Sequence, residues 1–308
     1  MMPAVLHTLP PSSRILIIRL RSLGDCVLTT PALHLLKLAR PDLRLAVMVE
    51  ERFAAVFAGN PEVESILAPR AGAAMAWRPA LTLNFHGGSR SAVLTAASLA
   101  HWRAGFAHHR HQWLYNLQIP RAQEILGVDR IVHTAEHLAS AMFWLGVPQM
   151  DVPRARLFAS ETIKRSVRRT PYAVLHPFAS APSKAWPIER FVALAHYLKE
   201  SPGLETVIIG AGNDDFSYFS GFECLRGAPL SEVKALLAGA ALFTGNDSGP
   251  AHMAAAFGVP VVVLYGSSDP QVWAPWRTDS EVIVEAAGLD QVSLARVAEA
   301  VERLRRRT

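Results

Sequence analysis

Short, continuous apolar runs recur along this chain. Most are followed by a glycine-rich or polar loop and then by a segment with apolar residues three and four apart. Arg14-Ile-Leu-Ile-Ile-Arg-Leu20 and Leu43–Val49 are such runs, the signature of strands buried on both faces of a parallel sheet. Helical spacing follows at Cys26–Leu38, with Pro31 in its first turns, and again at Arg52–Phe57. Pro61–Leu67 and Leu81–Phe85 read as further strands, and Arg90–Leu99 as a helix after the loop His86-Gly-Gly-Ser89. The basic, aromatic stretch from Trp102 to Tyr115 has no clear period and predicts no regular element. Ala135–Leu145 reads as a helix closed by Gly146 and Pro148.

Asp151–Thr170 is charged and proline-punctuated, and reads as a linker with a short helix at Ser160–Arg169. The alternation then restarts. Strands are expected at Tyr172–His176, Glu205–Ile209, Leu242–Thr244, Val261–Tyr265 and Glu281–Val284. Helices are expected at Ile188–Glu200, Ser231–Ala238, Ala251–Phe257 and Ser293–Arg306. Two β/α alternations in 308 residues predict an α/β protein of two Rossmann-like domains, residues 1–158 and 159–308, each with a parallel sheet covered on both faces.

Composition narrows the class. A net charge of +5 favours an anionic partner. Cys26 and Cys224 are far apart, which makes neither a disulfide framework nor a zinc pattern and fits a reducing cytoplasm. Met1–Ser13 reads as no secretory leader, and Ser91–Ala100 and Val259–Tyr265 are too short to span a bilayer. Membrane contact, where made, is then peripheral.

The densest chemistry lies in Gly245-Asn-Asp-Ser-Gly249, a loop without apolar residues between a strand and a small-residue helix. Pro250 suits the first helical position, and Ser248 or Gly249 the cap before it. The open N–H groups and positive dipole end of such a helix make an anion site, with Asp247 and His252 beside it to meet sugar hydroxyls. An ordinary β–α turn with Asp247 as a cap fits the same residues. Asp25, at the first strand-to-helix turn, reads either as a general base or as the N-cap of its helix. Lys184 is either a solvated charge or a diphosphate contact held by the rigid Trp186-Pro187. Gly210-Ala-Gly-Asn-Asp-Asp215 lacks the third glycine in register and the distant acid of a dinucleotide fingerprint. Its adjacent aspartates read as solvated rather than metal-binding. The histidines of His108-His-Arg-His111 have the density of a zinc site but no outside ligand, so a basic loop is the better reading. Trp102, Trp113 and Tyr115 are expected to be structural, and Arg303-Leu-Arg-Arg-Arg-Thr308 a solvated helix end or a contact with anionic lipid.

Phe243-Thr-Gly-Asn-Asp-Ser-Gly-Pro-Ala-His-Met-Ala-Ala-Ala-Phe-Gly-Val-Pro260, followed by Leu264-Tyr-Gly-Ser-Ser-Asp-Pro270, resembles the donor-site signature of glycosyltransferase family 9, which contains the ADP-heptose:lipopolysaccharide heptosyltransferases. Arg19-Leu-Arg-Ser-Leu-Gly-Asp-Cys-Val-Leu-Thr-Thr-Pro-Ala-Leu33 is similar to the family's N-terminal signature, and Lys184-Ala-Trp-Pro187 to its Lys-x-Trp-Pro segment. The resemblance covers nearly the whole chain; Phe178 and Ala179 depart from it. It implies the GT-B architecture, with two Rossmann-like domains facing a central cleft, the first binding the acceptor and the second the nucleotide sugar. It also implies inverting, metal-independent transfer of a heptose from ADP-heptose to a lipopolysaccharide inner-core acceptor, without a cofactor. In that reading Asp25 is the base. Ser180, Ser183, Lys184, Asp214, Asp247, Ser248, Gly249 and His252 hold the donor, and Arg19, Arg21 and Arg90 meet the acceptor. The partners implied are an ADP-sugar and an anionic glycolipid, not nucleic acid, in the cytoplasm with peripheral contact at the inner membrane. Three alternatives remain: a GT-B transferase for another sugar or acceptor, a sugar-nucleotide epimerase, and a non-catalytic nucleotide-sugar-binding protein.

Overall fold

The computed structural model describes residues 5–159, 170–179, 181–201 and 203–307. The helix expected at Ser160–Arg169 and the candidate Ser180 lie outside them. The chain divides into two compact units, Met1–Phe158 and Ala159–Thr308.

The first unit holds β1 (Arg14–Ile18), β2 (Arg44–Met48), β3 (Ser65–Leu67), β4 (Leu81–Asn84), β5 (Trp102–Phe106) and β6 (Leu117–Ile119). They form one sheet in the order β3-β2-β1-β4-β5-β6, and every pairing is parallel. Leu16, Ile18 and Met48 point to one face, where they pack against Ala74 and Leu94 from the helices Ala71–Trp77 and Ser89–Ala97. Ile15 and Ile17 alternate to the opposite face and are equally buried. The helices Leu23–Ala39 and Thr134–Leu145 pack on each other.

The second unit repeats the scheme with β7 (Tyr172–His176), β8 (Glu205–Gly210), β9 (Glu223–Arg226), β10 (Leu242–Asn246), β11 (Val261–Tyr265) and β12 (Ser280–Val284). Its order is β12-β11-β10-β7-β8-β9, again all parallel, so both sheets are wound alike. One face is closed by Phe191, Leu194 and Leu198 of the helix Ile188–Glu200 and by Val297, Val301 and Leu304 of the helix Leu294–Arg305. Trp186, only 1% exposed, joins this core and ties its indole N–H to the Val292 carbonyl at 2.8 Å.

Three local expectations need correcting. The first-unit helix begins at Leu23 rather than Cys26; Ser22 takes the N-cap position and Asp25 the third helical position, in a reciprocal capping arrangement. Pro31 therefore sits mid-helix, and the Val27 carbonyl that loses its backbone donor accepts from the Thr30 hydroxyl at 2.8 Å. The aperiodic stretch after residue 101 contains β5. Its Trp-Arg-Ala-Gly-Phe sequence hides the strand because Gly105 leaves room for Tyr115; an added Cβ there would stand 2.3 Å from that ring. The donor-side helix starts at Gly249, which puts Pro250 second rather than first.

Candidate functional site

Each sheet reverses its winding once. β1 lies between β2 and β4, and β7 between β8 and β10, so the loops leaving β1 and β4, and those leaving β7 and β10, part to opposite faces. A crevice at the carboxyl end of such a point is the usual ligand position in open α/β sheets. Apart from Asp214, which follows β8, the candidate residues of both units come from these loops and the helices that they lead into.

In the second unit the loop after β7 carries Lys184, the last residue of a single 3-10 turn, Pro182–Lys184. Its ammonium stands 3.5 Å from Asp247 Oδ2, just beyond the end of β10. Residues more than sixty apart in sequence meet because β7 and β10 are neighbours. Asn246, fully buried, fixes the approach. Its Oδ1 accepts from the Trp186 backbone N–H at 3.0 Å, and its Nδ2 donates to the Pro177 carbonyl at 2.7 Å. One amide therefore pins both arms of the Lys184 loop. Gly266, after β11, gives that loop its space: a Cβ there would lie 2.0 Å from the Ser183 carbonyl oxygen and 3.0 Å from Lys184 Cα. The Ser183 and Ser267 hydroxyls stand 3.4 Å apart across the same contact.

Ser248 occupies the N-cap of the helix Gly249–Phe257 in extended conformation, yet its side chain makes no capping bond. Its Oγ is buried and has no hydrogen-bond partner among the described residues. A buried hydroxyl left without a partner costs stability, which points to a polar ligand atom as its use. The helix beginning there, with Gly249 first, places its positive end beside the Lys184–Asp247 pair. His252 lies on the same helix and is buried. At the end of β7, burial drives the His176 imidazole down to about 4, so it is neutral at pH 7. Asp214 follows β8 and turns one carboxylate oxygen onto its own loop, accepting from the Ala211 N–H at 2.6 Å.

In the first unit Asp25 is held on two sides. Arg19 Nη1 lies 3.2 Å from Oδ1, and the Ser22 hydroxyl donates to Oδ2 at 3.0 Å. Arg19 is 7% exposed; burial pulls its guanidinium below the ordinary value while Asp25 opposes the shift. Arg21 is exposed, and its carbonyl lies 3.1 Å from His86 Nδ1 on the loop after β4. Burial and then the charge of Arg19 lower the His86 imidazole. Arg90 is not brought to Asp25: it donates to the Pro69 carbonyl at 3.1 Å and stands 3.8 Å from Glu50. The histidine run makes an aromatic cluster, with the rings of His108, His109 and His137 around Phe106 and the His137 ring stacked on it at 4.0 Å. Burial pulls His109 and His137 to about 4. Cys26 is buried and its thiol is pushed up to about 12, which leaves it unreactive at neutral pH.

Sequence reasoning missed Asn246, Gly266 and His86 as parts of these arrangements. Asn246 sits inside the motif that drew attention, but its two partners lie 60 and 69 residues away. No periodicity carries such a link.

Comparison with known proteins accords with this geometry. The family model of glycosyltransferase family 9 (heptosyltransferase) matches residues 80–296. Lipopolysaccharide heptosyltransferase 3 of Escherichia coli K12 is 24% identical over 82% of each chain. Among solved structures, the E. coli ADP-heptose lps heptosyltransferase II superposes with a TM-score of 0.80 at 21% identity, covering 94% of this chain and 98% of that one. The E. coli heptosyltransferase WaaC with ADP-2-deoxy-2-fluoro heptose superposes at 0.72 and 22% identity, over 94% and 99%. Two like-wound parallel sheets, a cationic loop beside a helix N-terminus, and a match across most of the chain lead to one conclusion: this protein belongs to glycosyltransferase family 9 (heptosyltransferase) and is a glycosyltransferase of GT-B architecture.

Proposed function

We propose that the protein transfers a heptose from ADP-heptose to a lipopolysaccharide inner-core acceptor with inversion at the anomeric carbon. Unit 1 binds the acceptor and unit 2 the donor. The observation that carries this reading is the Lys184–Asp247 pair at the start of the Gly249–Phe257 helix. An ammonium and a helix N-terminus suit a diphosphate, and a carboxylate beside them suits sugar hydroxyls. The names of the relatives supply the heptose and the lipopolysaccharide, and the bound analogue in the WaaC structure supplies the adenine nucleotide.

In this mechanism the acceptor hydroxyl oxygen attacks the anomeric carbon as the bond from that carbon to the diphosphate oxygen breaks. Asp25 takes the hydroxyl proton, and ADP leaves with the bonding electron pair. Arg19 and Ser22 hold the Asp25 carboxylate in one orientation, so the base needs little reorganisation. Lys184, Ser183 and the Ser248–Gly249 amides meet the charge that grows on the leaving diphosphate, a role that the sequence resemblance also gives to Ser180. Asp247 and His252 orient the heptose, and Asp214 reaches toward the adenosine. Arg19, Arg21 and Arg90 supply positive charge for an anionic acceptor. The reaction runs at the cytoplasmic face of the inner membrane, where a glycolipid acceptor is in reach.

Incubation with ADP-heptose and a panel of core acceptors, followed by ADP release and product mass, tests the reading. Asp25→Asn should abolish turnover with ADP affinity near wild type. Lys184→Ala should weaken donor binding or slow turnover at least ~10-fold, as for loss of one preorganised charge contact. Wild-type turnover by Asp25→Asn would remove the base. A product formed from ADP-heptose without acceptor would make the enzyme an epimerase.

A further inference from the structure

Between Ser65 and Gln123 the chain contains no aspartate or glutamate, while it carries Arg70, Arg78, Arg90, Arg103, Arg110 and Arg121. With 26 acidic residues in 308, a stretch of this length would hold about five, so the run is a marked bias toward positive charge. Folding gathers much of it on one side of unit 1. The helices Ala71–Trp77 and Ser89–Ala97 pack on each other and put Ala74 and Leu94 into the same sheet face. Their remaining sides turn to solvent and include Met75, 46% exposed, and Val93, 62% exposed, with Arg70 and Arg90 exposed beside them. The 3-10 turn Gln112–Leu114 packs against the second of these helices and is tied to it by His111 Nε2 and the Ser89 hydroxyl at 2.7 Å. It presents Trp113, 73% exposed, next to the exposed Arg110 of the same loop; Leu99, beyond the helix end, is 74% exposed.

Large exposed apolar side chains among cations describe an interfacial surface, and the carboxylate near it comes from outside the run, Glu50 at 3.8 Å from Arg90. Tryptophan sits well at the headgroup level, aliphatic side chains enter the acyl boundary, and arginines meet lipid phosphates. The other arginine-rich segment contrasts with this. At the C-terminal helix, Arg303 pairs with Glu281 at 2.9 Å, Arg305 with Glu302 at 3.1 Å and Arg307 with Glu281 at 2.7 Å. Its positive charge is largely spent within the protein.

We infer that the outer side of the Ala71–Trp77 and Ser89–Ala97 helices, with the Trp113 turn, docks on a bilayer surface rich in anionic phospholipid. The apolar members favour a bilayer over a nucleic acid, which offers only charge and base faces. This goes beyond the transfer reaction and is measured without donor or acceptor, so its failure is separate from any failure of the transfer reading.

The experiment is flotation of the full chain with vesicles of phosphatidylcholine alone and of equal parts phosphatidylcholine and phosphatidylglycerol. Binding should be at least ~10-fold stronger on the mixed vesicles and should weaken in high salt. Trp113→Ala and Arg110→Glu should each reduce it by roughly 5- to 10-fold, with thermal melts unchanged because both side chains are exposed. Arg303→Gln with Arg305→Gln should bind within about twofold of wild type, since those charges are already paired. The inference is overturned by absence of binding to the mixed vesicles, or by wild-type binding in both unit 1 variants. Loss of binding confined to the C-terminal variant overturns it too. Binding to a single-stranded RNA oligomer without vesicle binding would make the face a nucleic-acid surface instead.

Discussion

Gly266→Ala is the sharpest test of how the second unit holds its lysine. The added methyl would stand 2.0 Å from the Ser183 carbonyl oxygen and 3.0 Å from Lys184 Cα, and both are backbone contacts that no rotamer change relieves. Restoring an ordinary contact of about 3.4 Å moves the Ser183 carbonyl by roughly 1.4 Å, and Lys184 moves with it. Overpacking of this kind costs about 1–3 kcal/mol of stability. A misplacement near 1 Å in a positioned group costs about 100-fold in rate, which is about 2.7 kcal/mol of transition-state stabilisation. The variant should therefore fold, melt a few degrees lower, bind ADP more weakly and lose about 100-fold in kcat/KM for ADP release. Gly72→Ala is the control in the other unit, because a Cβ there meets nothing within 4 Å; it should keep wild-type values. Gly266→Ala with kcat/KM and ADP affinity within twofold of wild type would refute the claim that the Lys184 backbone position matters.

Asn246→Ala removes two buried hydrogen bonds and should cost about 2–3 kcal/mol in urea unfolding. It should also weaken ADP binding non-additively with Lys184→Ala; independent, additive losses in the double variant would show that Asn246 does not act through the lysine. Ser248→Ala should leave the unliganded protein at least as stable as wild type, because the buried hydroxyl makes no capping bond, while weakening ADP binding several-fold. A stability loss near 1 kcal/mol, the usual effect of deleting an N-cap, together with unchanged ADP affinity, would contradict this. Burial holds His109, His137 and His176 at about 4 in the folded protein, against about 6.5 for an unfolded imidazole. Below pH 6.5 the unfolded chain then binds protons that the folded chain refuses, so stability is full above that pH and falls between 6.5 and 4. The loss at pH 5 is of order 2 kcal/mol per histidine. Equal urea midpoints at pH 5 and pH 7.5 would show that these rings are not buried as described.

The strands were the most legible part of the chain. Ile15–Ile18, Leu45–Met48 and Val261–Tyr265 are buried on both faces, and their unbroken apolar runs mark them. β5 was not legible, because its fit depends on Tyr115 packing over Gly105, a contact ten residues away that composition does not announce. Asp25 was legible as a candidate, but its place was not. The sequence suited an N-cap, whereas Ser22 took that position and left Asp25 in the first turn with Arg19.

What the sequence determined by itself was local: the fully apolar strands and most of the longer helices, that two α/β units follow one another, and which loops are rich in phosphate- and hydroxyl-binding groups. Those features follow from burial periodicity and backbone preference, which act over a few residues. Tertiary structure decided strand order, and with it the company each loop keeps. Lys184 meets Asp247 because β7 pairs with β10, and Asn246 can clamp the lysine loop because the same pairing brings Trp186 and Pro177 within reach of one amide. Such contacts arise from hydrogen bonds between strands far apart in the chain, and no short window of residues contains both partners.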